Sequence, residues 1–171
     1  LLPSQILFNN FLYDLAQTTL PSDRTDAGSM KMPVRWDMHE FSKYIITFGF
    51  VSSVFDLLTF YLLYGVFRMG EQHFQTGWFI ESIATQIAVV FIIRTKRVPF
   101  FKSMPSPYVA FTALGILLFA WLIPYTPIGP LLSFVKLPVF FLTLIAGIII
   151  AYLIVTEITK YFFYRMVPAA S

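Results

Sequence analysis

Asn10, Asp14 and Gln17 stand at i, i+4 and i+7 within the apolar stretch Leu1–Leu20, a spacing that lines one face of a helix with amide and carboxylate oxygens. An ionised carboxylate deep in a bilayer costs several kcal/mol, about 3 on the gentlest scales, so it persists where it meets a bundle interior, water or a cation. The stripe therefore reads as part of an ion path. The other reading is that Asn10 and Gln17 hydrogen-bond across helices, with Asp14 protonated or near an interface.

Further polar residues interrupt the later apolar stretches. Asp56, in SSVFDLLTF, falls about twelve residues into its stretch, near the middle at about 1.5 Å per residue. No basic residue is available at that depth, so Asp56 binds a cation, pairs with a segment outside this chain, or is protonated. Glu81 follows Trp78 by three residues, which places it near the outer interface as an entrance, exit or helix-start carboxylate. Gln86, with Ser82 and Thr85 beside it, lies deeper and suits either the path or helix packing. Glu157 and Lys160 are one turn apart and read as an interfacial ion pair. Gly147 and Ala151 form a small-residue packing face.

Oxygen donors without imidazole or thiolate suit hard ions: magnesium, calcium, sodium or protons, and not zinc or copper. Magnesium, which keeps several waters and needs only one or two carboxylates, fits an Asn10–Asp14 pair. The residues alone do not choose among these ions. Enzymatic motifs are missing from the sequence: no phosphate-binding glycine loop, no His-Glu-x-x-His, no nucleophile elbow and no dinucleotide fingerprint. His39 and His73 fall in different connections, and no cysteine offers a thiolate or a disulfide.

The elements that must position these groups follow from composition. Hydrophobic residues make up 57% and charged residues 12% of the sequence, where soluble domains carry about 25% charged; the mean hydropathy is +0.73. Five stretches qualify as membrane spans, at about 1–20, 44–67, 78–93, 108–123 and 139–163. With no alternating barrel pattern, helices are the only way to satisfy the backbone in lipid, so the expected fold is an all-α polytopic bundle. The net charge of +3 does not indicate nucleic acid, because the basic residues flank the spans. Ten of the twelve lie on one side of a five-span path, in Ser22–Lys43, Arg94–Pro107 and the tail, against Arg68 and Lys136 on the other. That side is expected to be cytoplasmic, the amino terminus of this sequence outside, and Trp36, Trp78 and Tyr125 at the interfaces. Because Leu1 opens directly inside an apolar stretch, the sequence reads as the carboxy-terminal piece of a longer polytopic protein. Ser22–Lys43 suits a structured connection to a soluble domain or a plain solvated linker, and Arg94–Pro107 a short basic turn near anionic headgroups.

LPSQILFNNFLYDLAQTTLPSD, from Leu2 to Asp23, resembles the sixth membrane segment of P-type cation-transporting ATPases, and most closely the bacterial magnesium-transporting branch. The likeness continues through KMPVRWD at Lys31–Asp37, SSVFDLLTF at Ser52–Phe60, and QTGWFIES with Gln86 and IRTKRVPF between Gln75 and Phe100. The resemblance implies that the spans are segments six to ten of a pump in the bacterial inner membrane. Asn10 and Asp14 would be ion ligands, with Asp56 as a second choice, and Gln17, Glu81 and Gln86 on the path. Tyr13 stands where related calcium pumps have threonine, which puts a hydroxyl ligand there in doubt. The phosphorylated aspartate and the ATP-binding and actuator domains would lie upstream as partners of this chain, with magnesium the transported ion. On this view the chain itself catalyses nothing. A stand-alone carrier or channel, and a membrane scaffold without transport, are the other classes the residues allow.

Overall fold

The structure, a computed structural model, describes residues 2–23, 38–93 and 105–166. Among them are five α-helices and no strand: α1 Pro3–Gln17, α2 Met38–Phe60, α3 Glu71–Ile93, α4 Pro107–Leu122 and α5 Val139–Met166. Each occupies the place of one expected span. Four segments, Ser42–Val66, Glu71–Ile92, Pro107–Tyr125 and Val139–Arg165, are long and apolar enough to cross a bilayer. The fifth, α1, has 15 residues and is followed by a 3₁₀ turn at Leu20–Ser22. Trp36 and most of the two basic connections lie outside the described residues.

The helix boundaries have local causes. Proline opens α1 and α4, where a missing N–H and a fixed φ cost nothing. Ser106 caps α4 by accepting from Val109 N at 3.5 Å, and its own N–H donates to the Asp23 carboxylate at 2.7 Å. That bond ties the end of α1 to the start of α4. α2 continues through a π-helical turn, Tyr61–Val66, and Arg68, at φ 47°, turns the chain toward α3.

Contacts between helix ends fix an alternating up-and-down order. At one end, Tyr44 of α2 packs edge-on against Phe163 of α5, with ring centroids 5.4 Å apart, and Lys160 of α5 reaches the Ile92 carbonyl of α3. At the other, Gln5 of α1 donates to the Leu132 carbonyl, Phe67 meets Phe141, and Val135 N donates to Thr76 Oγ1 at 3.1 Å. α3 is the central helix: 72% of its apolar window is buried, against 17–33% in the three other long helices. α1 and α4 pack on one part of it, α2 and α5 on another.

Lipid tails are as apolar as leucine, so close packing, and not hydrophobic exclusion, holds such helices together. α3 meets that demand with small residues. A β-carbon on Gly77 would stand 2.8 Å from Leu63 Cδ1, and Ser82, Ala84 and Thr85 are buried along the same helix. Gly147, by contrast, has no atom within 4 Å of its β-carbon position, and Ala151 is exposed. The small-residue face expected on α5 therefore does not pack closely on another of the described helices.

Candidate cation site

α1 carries two stripes of identical spacing, and the fold treats them oppositely. Gln5, Asn9 and Leu12 are buried against α3 and its neighbours. Asn10 and Asp14 are exposed, and Gln17 is half-buried beside Tyr13. No side chain among the described residues bonds Asn10 or Asp14. Asn10 and Asp14 of the expected stripe thus form a polar edge that the described residues leave open, while Gln17 is engaged by Tyr13.

The buried stripe forms the network. Asn9 Nδ2 donates to Gln86 Oε1 at 3.3 Å and to Ser82 Oγ at 3.4 Å, and Gln86 Nε2 donates to Ser82 Oγ at 3.1 Å. Gln5 Nε2 donates to the Leu132 carbonyl at 3.0 Å. The acceptor oxygens Asn9 Oδ1 and Gln5 Oε1 remain without partners among the described residues. The polar atoms link α1 to α3 as interhelical glue of the kind expected for Gln86, with Asn9 as the partner that sequence reasoning passed over. The Gln5/Asn9/Leu12 periodicity was its available signal.

A second group gathers α2, α3 and α5. Asp56, half-buried, accepts from the Trp78 indole Nε1 at 3.2 Å. Ser52, one turn earlier, shares a 2.9 Å hydrogen bond with the Tyr152 hydroxyl. Glu81 is 1% exposed, and its carboxylate, that of Asp56 and the Tyr152 hydroxyl lie within one another's electrostatic reach. Sequence reasoning placed Glu81 near the outer interface; the structure corrects this. α3 begins at Glu71 and not at Trp78, so Glu81 sits midway along Glu71–Ile92. The early turns are helical despite their polarity because Gln75 donates to Glu71 and Thr76 to the Gln72 carbonyl, satisfying them within the helix. For the same reason Trp78 is not an interfacial anchor but a buried-side donor to Asp56.

The Glu157–Lys160 pair is present at 2.9 Å. It is not simply interfacial: Lys160 is 3% exposed and also donates to the Ile92 carbonyl at 3.2 Å, where the last turn of α3 offers unpaired acceptors and negative dipole charge. His73 is half-buried and the side chain of His39 lies outside the described set. Among the described residues no three His, Asp or Glu side chains gather as a metal cluster. The arrangement offers hard oxygen donors in two places, the exposed edge of α1 and the α2–α3 interface.

Comparison with known proteins gives the family. Residues 1–162 match the family described as cation transporting ATPase, C-terminus. The "Magnesium-transporting ATPase, P-type 1" of Escherichia coli strain K12 is 33% identical over 169 residues, and that of Salmonella typhimurium strain 14028s is 32% identical over 170. Each alignment covers 96% of this chain and 19% of the relative, so the chain spans about a fifth of the length of these proteins.

Proposed function

Because the chain belongs to the cation transporting ATPase C-terminus family, we propose that it serves as the last membrane segments of an ATP-driven pump that moves magnesium. Asn10 and Asp14 supply ligands to the transported ion, and Gln17 continues the path along the same edge. The observation that carries this reading is the open edge of α1: a carboxylate and an amide in an apolar helix, exposed, with no partner among the described residues. In lipid such an edge is costly. Covered by further helices of the same protein, it becomes one wall of an ion site.

On this reading the phosphorylation and ATP-binding chemistry belongs to the parts of the relatives that this chain does not span. Their cycle reaches Asn10 and Asp14 through the helices packed on the open edge. The excess of Lys and Arg at the Ser22–Lys43, Arg94–Pro107 and tail positions sets that end toward the bacterial cytoplasm. Glu81 and Gln86 are not on this edge. Gln86 is engaged with Asn9, and Glu81 belongs with Asp56.

The test is Asp14→Asn in the full-length pump, reconstituted in vesicles. The variant keeps the shape and removes the charge, so magnesium-stimulated ATP turnover should fall about 10- to 100-fold, the loss expected for a charged contact worth about 1.5–3 kcal/mol. Unchanged turnover and uptake in a correctly inserted variant would reject the assignment. Ion flux without ATP would favour a stand-alone carrier instead.

A further inference from the structure

The threonines of these helices bond their own backbone, Thr143 to the carbonyl three residues back and the rest, but for one, to the carbonyl four back. Thr47, Thr76, Thr85, Thr112, Thr156 and Thr159 each donate to the carbonyl four residues back, which satisfies a hydroxyl in lipid without help from another helix. Thr59 does not. It is fully buried in α2, and its Oγ1 has no partner among the described residues.

The register of α2 against α3 gives the level at which Thr59 sits. Leu63, in the π-helical turn that continues α2, lies against Gly77 of α3, and further along the antiparallel pair Val51 meets the same cluster as Ala88 and Val89. One turn back from Leu63 is Thr59; one turn on from Gly77 is Glu81. Thr59 and Glu81 therefore stand at the same level of the interface, and Glu81 Oε2 is likewise buried and without a partner. Asp56 is three residues from Thr59 on α2, with one carboxylate oxygen held by Trp78, itself one turn before Glu81.

The charges do not balance. Two carboxylates lie within each other's field, and among the described residues neither is paired with a cation. Lys160 is engaged by Glu157 and the end of α3, and Tyr152, on the α5 side, is bonded to Ser52. We propose that Asp56, Thr59 and Glu81 form a second intramembrane site, for a hard divalent cation, on the α2–α3 interface and apart from the open edge of α1. Two anionic oxygens and a hydroxyl from two helices neutralise such an ion and leave positions for the waters that magnesium retains. Asp56 is partly exposed, and Glu81 and Thr59 are buried. The site uses neither Asn10 nor Asp14 and stands or falls separately from them.

The experiment measures Mg²⁺ binding stoichiometry by equilibrium dialysis on the full-length protein in lipid nanodiscs. Glu81→Gln and Asp56→Asn should each lower the count by one ion. Asp14→Asn should remove a different ion, and the Asp14→Asn/Glu81→Gln double variant both. Trp78 gives an independent readout: the part of the Mg²⁺-induced emission change that Trp78→Phe abolishes should vanish in Glu81→Gln and survive in Asp14→Asn. Thr59→Val, equal in size, should raise the half-saturating Mg²⁺ of this site about tenfold through the loss of one oxygen ligand. Stoichiometry unchanged in both carboxylate variants, with a silent Trp78, overturns the proposal and assigns the charge compensation to protons. Loss of an ion in Glu81→Gln with full binding in Asp14→Asn supports this site and removes the reading of the α1 edge.

Discussion

The two stripes of α1 have the same spacing and nearly the same chemistry, yet one is spent on the fold and the other is held free of it. Gln5 and Asn9 are bound to α4–α5 connection and α3 atoms; Asn10 and Asp14 touch no partner among the described residues. A polar side chain in a membrane helix contributes to stability only when a neighbouring helix answers it. The charged residue sits on the unanswered side, where, on the proposed reading, its binding energy goes to a passing ion.

That contrast can be broken by substitution. The largest effect belongs to the open edge: Asp14→Ala should abolish magnesium-stimulated turnover, a loss of about 100-fold or more, while the unfolding free energy in detergent moves by less than about 0.5 kcal/mol. A destabilisation of several kcal/mol would show that Asp14 is structural. Next comes Gln86→Leu, which strips Asn9 and Ser82 of a shared partner. It should cost up to about 1.7 kcal/mol in steric-trap or denaturant unfolding and leave half-saturating magnesium within about twofold. Asn9→Leu removes one end of the same network and should cost about 0.6 kcal/mol, with transport retained. The smallest quantity sharpens the comparison most. A double-mutant cycle between Asn9→Leu and Gln86→Leu should give a coupling of about 0.5 kcal/mol, whereas the pair Asn9→Leu and Asp14→Ala should be additive within error.

Much of this was legible before any coordinates. Hydropathy placed all five helices, and the rarity of charge in apolar stretches singled out Asp14 and Asp56. The depth of Glu81 was not legible, because EQHFQTG is too polar to count as span by hydropathy, and its polar groups are satisfied inside the helix in a way that composition does not record. Asn9 escaped notice beside Asn10, since the carboxylate four residues on draws attention to one asparagine and nothing charged marks the other. Thr59 is ordinary in sequence; only the missing bond to its own backbone distinguishes it. The Gly147–Ala151 spacing promised a close helix contact that is not made among the described residues, because α5 presents its other side to α3.

α3 and α5 are pinned to each other twice. Thr76 accepts from Val135, just ahead of α5, and Lys160 grips the last turn of α3 some four helical turns away. Sliding either helix by a single residue, about 1.5 Å, would break both ties together. The two helices therefore behave as one mast, and on the proposed reading whatever rocking a transport cycle demands falls to the elements hung around it.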